Sequence, residues 1–87
     1  MTDPVRPVHI AGLLVSAVPG QLGDLVGQLA VVPGLQVHAR DDVTGRVVVT
    51  LETDSINEQE AQFTRVRTLC GVRAVDLVYY VFDHERM

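Results

Sequence analysis

Three histidines and one cysteine are the side chains of this 87-residue chain best suited to metal binding or nucleophilic catalysis. The histidines at positions 9, 38 and 84 include no pair with the spacing of metal ligands on a helix. Cys70 stands without the second cysteine that a zinc or redox motif requires. His9 and His84 belong to neighbouring strand ends, where they either approach each other or lie as two separate solvated side chains. The sequence therefore predicts no metal site.

The remaining chemistry-bearing residues fit structural roles. The chain contains no GxSxG nucleophile motif, no GxxxxGK[ST] phosphate loop and no GxGxxG after a strand. Asp41 and Asp42 precede Gly45, a pattern more typical of turn geometry than of a cation site. Ser16 and Ser55 have structural explanations, and Cys70 has no defined base. We predict a protein that is not an enzyme and that needs no cofactor.

Composition narrows the classes of partner. Seven Arg, no Lys and eleven Asp and Glu give 7 − 11 = −4, a net charge that disfavours nucleic acid and suits a basic protein segment. No apolar run reaches the roughly 18 residues of a membrane span, which predicts no membrane insertion. The N-terminus lacks a signal-peptide pattern. We expect a cytoplasmic protein.

Hydrophobic periodicity predicts six elements. β-branched segments at residues 8–18, 35–41, 46–52 and 74–83 indicate strands, and the middle two form a hairpin. A helix follows Gln21 and ends before Pro33-Gly34, and a capping-box pattern, Ser55 to Glu58, opens a second helix that runs to about Leu69. The order βαββαβ predicts an α+β, ferredoxin-like sandwich with strand order 4-1-3-2 and both helices on one face. We predict one domain over residues 8–83, with flexible termini at residues 1–7 and 84–87.

The last strand, AVDLVYYVFD, is apolar on both faces. Strict alternation places Val75, Leu77, Tyr79 and Val81 beneath the helices. The same alternation places Val78, Tyr80 and Phe82 on the opposite, open face, together with Asp76. The open face should therefore carry large apolar side chains.

The other strands contribute to this open face. The polar residues of each strand indicate which of its faces is open. This face then carries Ile10, Gly12, Leu14 and Ser16 of the first strand, Gln36, His38 and Arg40 of the second, and Val48 and Thr50 of the third. An apolar patch of several hundred Å² on a small domain usually marks a docking surface. The sequence leaves open whether a second copy, as a weak homodimer, or a foreign ligand covers it.

Other ferredoxin-like domains use this face differently. RNA-recognition modules need exposed aromatic and basic residues, whereas this chain is acidic and has Val47, Val48 and Val49 on its third strand. Metal chaperones need paired cysteines after the first strand, where Pro19-Gly20-Gln21 stands here. The alternative is a regulatory or dimeric binding module whose open sheet face is a self-association or small-ligand site.

Several segments in order resemble one family. HIAGLLVSA at 9–17, PGLQV at 33–37, TGRVVVTLE at 44–52, VRTLCGV at 66–72 and VDLVYY at 75–80 are similar to the NapD family, the cytoplasmic assembly chaperones of periplasmic nitrate reductase. The resemblance covers residues 8–83. It departs at Gly12, where the family often carries Ser, and at Tyr80, where it often carries His.

The resemblance implies a proofreading role. Such chaperones bind the twin-arginine signal peptide of the molybdenum-dependent catalytic subunit as a helix against the sheet, and they delay export until the cofactor is inserted. An apolar, acidic surface suits an arginine-bearing amphipathic helix. The expected signal-peptide-binding residues are Ile10, Gly12, Leu14, Ser16, Val48, Thr50, Asp76, Val78, Tyr80 and Phe82. Asp76 is the expected partner of a signal-peptide arginine.

Overall fold

The computed structural model describes the backbone of residues 5–86 and the side chains of residues 8–82. Its elements follow the predicted order: β1 (Val5–Ala17), α1 (Leu22–Leu29), β2 (Leu35–Asp41), β3 (Arg46–Thr53), α2 (Ile56–Arg67) and β4 (Val72–Arg86). Of the predicted flexible termini, residues 1–4 and 87 lie outside the described residues. Residues 5–7 and 84–86 extend β1 and β4 and pair with each other.

The four strands form one antiparallel sheet in the order β2-β3-β1-β4, which confirms the predicted ferredoxin-like topology. The core lies between one face of this sheet and the two helices. Alternate residues of β1 and β3 build its centre, and they are almost completely buried: Ala11, Leu13, Val15, Val47, Val49 and Leu51. Helix α1 adds Leu22, Leu25 and Leu29, as the helical spacing predicted. The opposite face of the sheet carries no helix in the described part of the chain.

The turn between α1 and β2 depends on Gly34. Its φ of +79° lies in the left-handed region that L side chains rarely adopt. A Cβ at this position would also collide with the backbone carbonyl oxygen of Glu52. That approach lets the Glu52 amide donate a hydrogen bond of 2.8 Å to the Gly34 carbonyl. The turn from α1 into β2 therefore requires glycine at this position, because no larger residue fits.

Helix α2 begins as its sequence predicted. Ser55 has an extended backbone, and its Oγ accepts a hydrogen bond of 3.1 Å from the backbone amide of Glu58. Val66 is fully buried, and Phe63 and Leu69 pack against the core. Ile56 lies on the first turn, beyond the core, and is 49% exposed although it is apolar. The first turn of α2 therefore leaves apolar surface uncovered.

The turn between β2 and β3 is organised by Asp41. Its Oδ1 accepts hydrogen bonds from the backbone amides of Val43 at 2.9 Å and Thr44 at 3.3 Å. These hydrogen bonds, that of Thr44 first, and the charge of Arg46 hold the pKa of Asp41 below its usual value. The Gly45 amide donates to the Asp41 carbonyl at 2.9 Å, with Gly45 at a φ of +71°. The predicted role of Asp41 in turn geometry is confirmed.

Candidate functional site

The centre of the open face is built by the regular pairing of β1 with β3. Across the two strands, Ile10 lies opposite Glu52, Gly12 opposite Thr50, Leu14 opposite Val48, and Ser16 opposite Arg46. Residues directly opposite each other in an antiparallel pair share a face, so all eight point away from the helices. Six of the eight are positions that the alternation of the sequence assigned to this face: Ile10, Gly12, Leu14, Ser16, Val48 and Thr50.

A β-bulge in β4 changes which of its side chains reach the open face. Gly12 lies opposite Tyr79, but the next residue of β1, Leu13, lies opposite Leu77, so Val78 has no partner in β1. The extra residue reverses the alternation along the C-terminal half of the strand. Tyr79 and Val81, predicted to lie under the helices, are opposite Gly12 and Ile10 on the open face.

The predicted placement of Tyr80 and Phe82 on the open face is therefore wrong. Tyr80 lies opposite Ala11, and its hydroxyl hydrogen-bonds Nδ1 of the buried His9. Phe82 lies opposite His9, and the two rings stack with their centroids 4.5 Å apart. Both aromatic residues belong to the side of the sheet that carries the helices. Val78 stands at the bulge itself, 63% exposed.

Tyr79 covers the glycine of the neighbouring strand. A Cβ added to Gly12 would collide with the Tyr79 ring, which lies across the glycine on the open face. Gly12 is buried for this reason. Gly12 therefore does not leave bare backbone for a ligand, since an aromatic ring already occupies that space. Both departures from the family pattern, Gly12 and Tyr80, thus have close neighbours: the Tyr79 ring and the His9 ring.

Asp76 lies on the open face, as predicted. It is opposite Leu14, one pair before the bulge, and is exposed. No described side chain forms a salt bridge with it. Glu52 is a second exposed carboxylate on this face, and the sequence analysis did not assign it there. Continuing the alternation of Val48 and Thr50 along β3 to residue 52 would have predicted it. The two acidic groups lie on the strands at either side of β1, and Arg46, opposite Ser16, is nearer to Asp76 than to Glu52 along the sheet.

The second bulge is in β2. Val37 lies opposite Val49, and Ala39 opposite Val48, which leaves His38 without a partner in the register. Ala39 consequently shares the open face with Val48, whereas Arg40 lies opposite the buried Val47 on the helix side. The predicted open-face placement of Arg40 is wrong for this reason. The His38 ring still reaches Thr50, with 2.6 Å between Nε2 and Oγ1.

We define the open-face patch as the apolar side chains at the centre of this surface: Ile10, Leu14, Val48, Tyr79 and Val81. Val48, Tyr79 and Val81 are each more than two-fifths exposed, and Ile10 and Leu14 are half-buried between them. The carboxylates of Glu52 and Asp76 lie at the border of the patch. The arrangement can hold an apolar ligand surface next to positive charge.

A second apolar concavity lies on the helix side, between α2 and β4. This α2–β4 groove has a cavity volume of about 390 Å³ and is lined by Ala11, Ile56, Gln59, Glu60, Phe63, Thr64, Leu77 and Tyr80. Gln59 is buried, and its side-chain amide lies 2.6 Å from the Thr53 hydroxyl, with the other amide atom unpaired among the described residues. The Thr53 hydroxyl also lies 3.1 Å from the Ser55 carbonyl, and its one proton cannot serve both acceptors. Turning the amide over resolves that conflict but still leaves one buried amide atom without a partner.

The described residues contain no cluster of potential metal ligands. Within them, no group of three His, Cys, Asp or Glu side chains is placed to hold a metal ion. Cys70 is exposed, and the side chain of His84 lies outside the described residues. None of the described helices is both long and apolar enough to cross a membrane.

Comparison with known proteins agrees with this architecture. Residues 8–84 match the family model described as NapD protein. Two relatives named Chaperone NapD are each 31% identical to the chain, one from Paracoccus pantotrophus over 74 residues and one from Escherichia coli strain K12 over 72 residues. The match covers 85% of this chain and 64% of the Paracoccus protein, so the chain spans less than two thirds of that relative; it covers 83% of both chains for the E. coli protein.

The fold is also similar to a solved structure. The solution structure of the E. coli Tat proofreading chaperone protein NapD superimposes with a TM-score of 0.77 and 29% sequence identity, over 91% of this chain and 80% of that one. The family model spans nearly the whole described chain, and the E. coli relative exceeds 30% identity over most of both chains. The chain therefore belongs to the NapD family.

Proposed function

We propose that the open-face patch binds the twin-arginine signal peptide of the molybdenum-dependent catalytic subunit of a periplasmic nitrate reductase. The proposed result is that export is delayed until the cofactor has been inserted. The chaperone acts in the cytoplasm, before export, and performs no covalent chemistry. The observation that supports this best is an uncovered apolar patch bordered by Glu52 and Asp76 on a chain of net charge −4.

The patch fits a helical ligand. An amphipathic helix pairs its own backbone groups and presents an apolar stripe, which matches a sheet surface that offers side chains. Binding such a helix buries Ile10, Leu14 and Val48 at the centre of the contact, and Tyr79 and Val81 replace Tyr80 and Phe82 among the expected contacts. Gly12, Ser16, Thr50 and Val78 remain predicted parts of the same surface or its border. A peptide held there is sterically masked from the translocation machinery.

The distribution of charge orients the peptide. Glu52 lies opposite Ile10 and Asp76 opposite Leu14, while Arg46 lies opposite Ser16, two β1 positions beyond Leu14. The arginine pair should therefore lie over β1 between Glu52 and Asp76, on the side away from Ser16 and Arg46. Exposed charge pairs contribute modestly, about 1 kcal/mol or less each, so the apolar patch supplies most of the affinity.

Calorimetric titration with a synthetic twin-arginine signal peptide tests the proposal. The native chain should bind, and Leu14→Asp should weaken binding at least about tenfold because it places a carboxylate among apolar contacts. Val43→Asp is the matched control: it adds the same charge at a residue 95% exposed in the β2–β3 turn and should leave affinity unchanged. Absence of binding by the native chain would overturn the function, and undiminished binding by folded Leu14→Asp would overturn the surface.

The role of Asp76 is tested by a double-mutant cycle. Asp76→Asn should reduce affinity for the twin-arginine peptide a few-fold, about 1 kcal/mol or less. The same substitution should have no effect on a peptide whose two arginines are replaced by glutamine. An equal loss for both peptides would show that Asp76 does not contact the arginines.

A further inference from the structure

The outer edge of β4 is the largest unprotected feature of the sheet. β4 is the last strand in the order β2-β3-β1-β4, and within residues 5–86 no strand pairs with its outer edge. Such an edge presents backbone amide and carbonyl groups that can pair with another strand. From Leu77 to Phe82 every side chain is apolar or aromatic and between 40% and 63% exposed. This stretch contains no charge and no proline.

The opposite edge of the sheet is protected in a way that β4 is not. β2 has only seven residues, and four of them are polar or charged: Gln36, His38, Arg40 and Asp41. Short length and charge are the usual means by which proteins prevent edge-to-edge pairing. β4 is about twice as long, and its bulge at Val78 displaces one residue without introducing a charge. The asymmetry marks β4 as the edge available for association.

We propose that β4 pairs antiparallel with β4 of a second copy of this chain, around a two-fold axis, so that the two sheets become continuous. An extended strand satisfies the free backbone groups of an edge, which a helix cannot do because its own groups are already paired. β4 is itself a suitable occupant, because its β-branched and aromatic side chains stabilise cross-strand pairs on both faces.

Charge does not oppose this pairing locally. The chain carries −4, but residues 72–82 contain one Arg73 and one Asp76, so that 1 − 1 = 0. The six exposed side chains from Leu77 to Phe82 offer roughly 600 Å² per chain, estimated from their exposures and typical side-chain areas. Even if pairing buried all of that area, it would lie at the lower end of the range for specific interfaces, which indicates a weak, reversible dimer.

The α2–β4 groove offers further apolar surface that an added strand would bury. Leu77 and Tyr80 form one wall of the groove and lie on the helix side of β4, next to its free edge. Helix-side residues of a second β4 would extend this wall and cover apolar surface of Ile56 and Phe63. The buried Gln59 amide contributes an unpaired polar atom to the same groove. The added strand would lie beside the sheet, so this proposal does not depend on peptide binding at the open-face patch.

Sedimentation velocity over a range of concentrations tests the proposal. The native chain should form dimers with a dissociation constant on the order of 100 µM. Val78→Lys should weaken dimerisation at least tenfold, because it places a charge at the centre of the edge at a residue without a partner in β1. Val43→Lys, at the exposed turn, should leave the dimer unchanged. Circular dichroism establishes that both variants remain folded.

Cross-linking provides a second readout that does not depend on the stability of the variant. In a Cys70→Ser background, Val78→Cys should form an intermolecular disulfide under mild oxidation, and Val43→Cys should not. A native chain that is monomeric at all concentrations would overturn the proposal. So would a dimer that Val78→Lys leaves intact, and loss of that dimer in Leu14→Asp would then assign the contact to the open face.

Discussion

The central strands and the outer strands of the sheet differ in regularity. β1 and β3 pair without interruption from His9 opposite Thr53 to Ser16 opposite Arg46. β2 and β4 each contain a bulge, at His38 and at Val78, and β4 has a second irregularity next to Ser16. The central pair is fixed by a buried face of aliphatic side chains, whereas each outer strand is held by one neighbour. Regular register is therefore a property of the core, and the outer strands adjust where one side is free.

The largest expected effect comes from one pair of leucines that joins these regions. Leu13 and Leu77 lie directly opposite each other, yet Leu13 is fully buried and Leu77 is 55% exposed. Leu13→Ala should lower the free energy of unfolding by about 2–5 kcal/mol, because it leaves a cavity in the core. Leu77→Ala should cost less than about 1 kcal/mol, since most of its surface is already in water. Urea unfolding measures both; equal losses would contradict the distinction between the two strands.

The next effect concerns the ring that spans the two regions. Gly12→Ala should lower the free energy of unfolding by about 1–3 kcal/mol, because the new methyl group displaces the Tyr79 ring. Tyr79→Ala should remove most of that penalty, so the two substitutions should be coupled in a double-mutant cycle. Additive losses would show that Tyr79 does not lie over Gly12.

A smaller effect tests the alternation after the bulge. Tyr80→Phe should lower the free energy of unfolding by about 1 kcal/mol, because it removes the hydrogen bond to the partly enclosed His9 ring. Tyr79→Phe is the matched control and should be nearly neutral, since the Tyr79 hydroxyl has no hydrogen-bond partner among the described residues. The opposite ranking in thermal or urea unfolding would indicate an unbulged β4.

The smallest effect concerns the turn that joins β2 to β3. The lowered pKa of Asp41 means that its carboxylate stabilises the folded state above the usual value of 3.8, and that this contribution is lost as pH falls through the lowered value. Asp41→Asn should remove that part of the pH dependence and leave stability nearly unchanged at pH values below the lowered pKa. Unfolding followed by circular dichroism between acidic and neutral pH measures the difference. Identical pH profiles for the native chain and Asp41→Asn would show that the Asp41 carboxylate does not stabilise the folded state.

The sequence predicted the elements and the strand order because those depend on periodicity and chain connectivity. The open-face positions of β1 and β3 followed from the same alternation, since one face of each strand is packed against helices. The faces of Tyr79 to Phe82 could not be predicted, because a strand that is apolar on both sides gives no indication of its register. The bulge at Val78 has no local signal: Leu77, Val78 and Tyr79 differ in shape but not in polarity. On β2, a polar His38 between two small apolar residues fitted strict alternation equally well.

Because of the bulge, β4 could lose one residue without moving its other side chains to the opposite face. The register takes up Val78 as an extra residue, so Asp76 before it and Tyr79 after it both reach the open face. Deleting Val78 would remove the irregularity and leave Leu77, Tyr80 and every other flanking side chain on the face it now occupies. A chain one residue shorter could therefore present the same open-face surface.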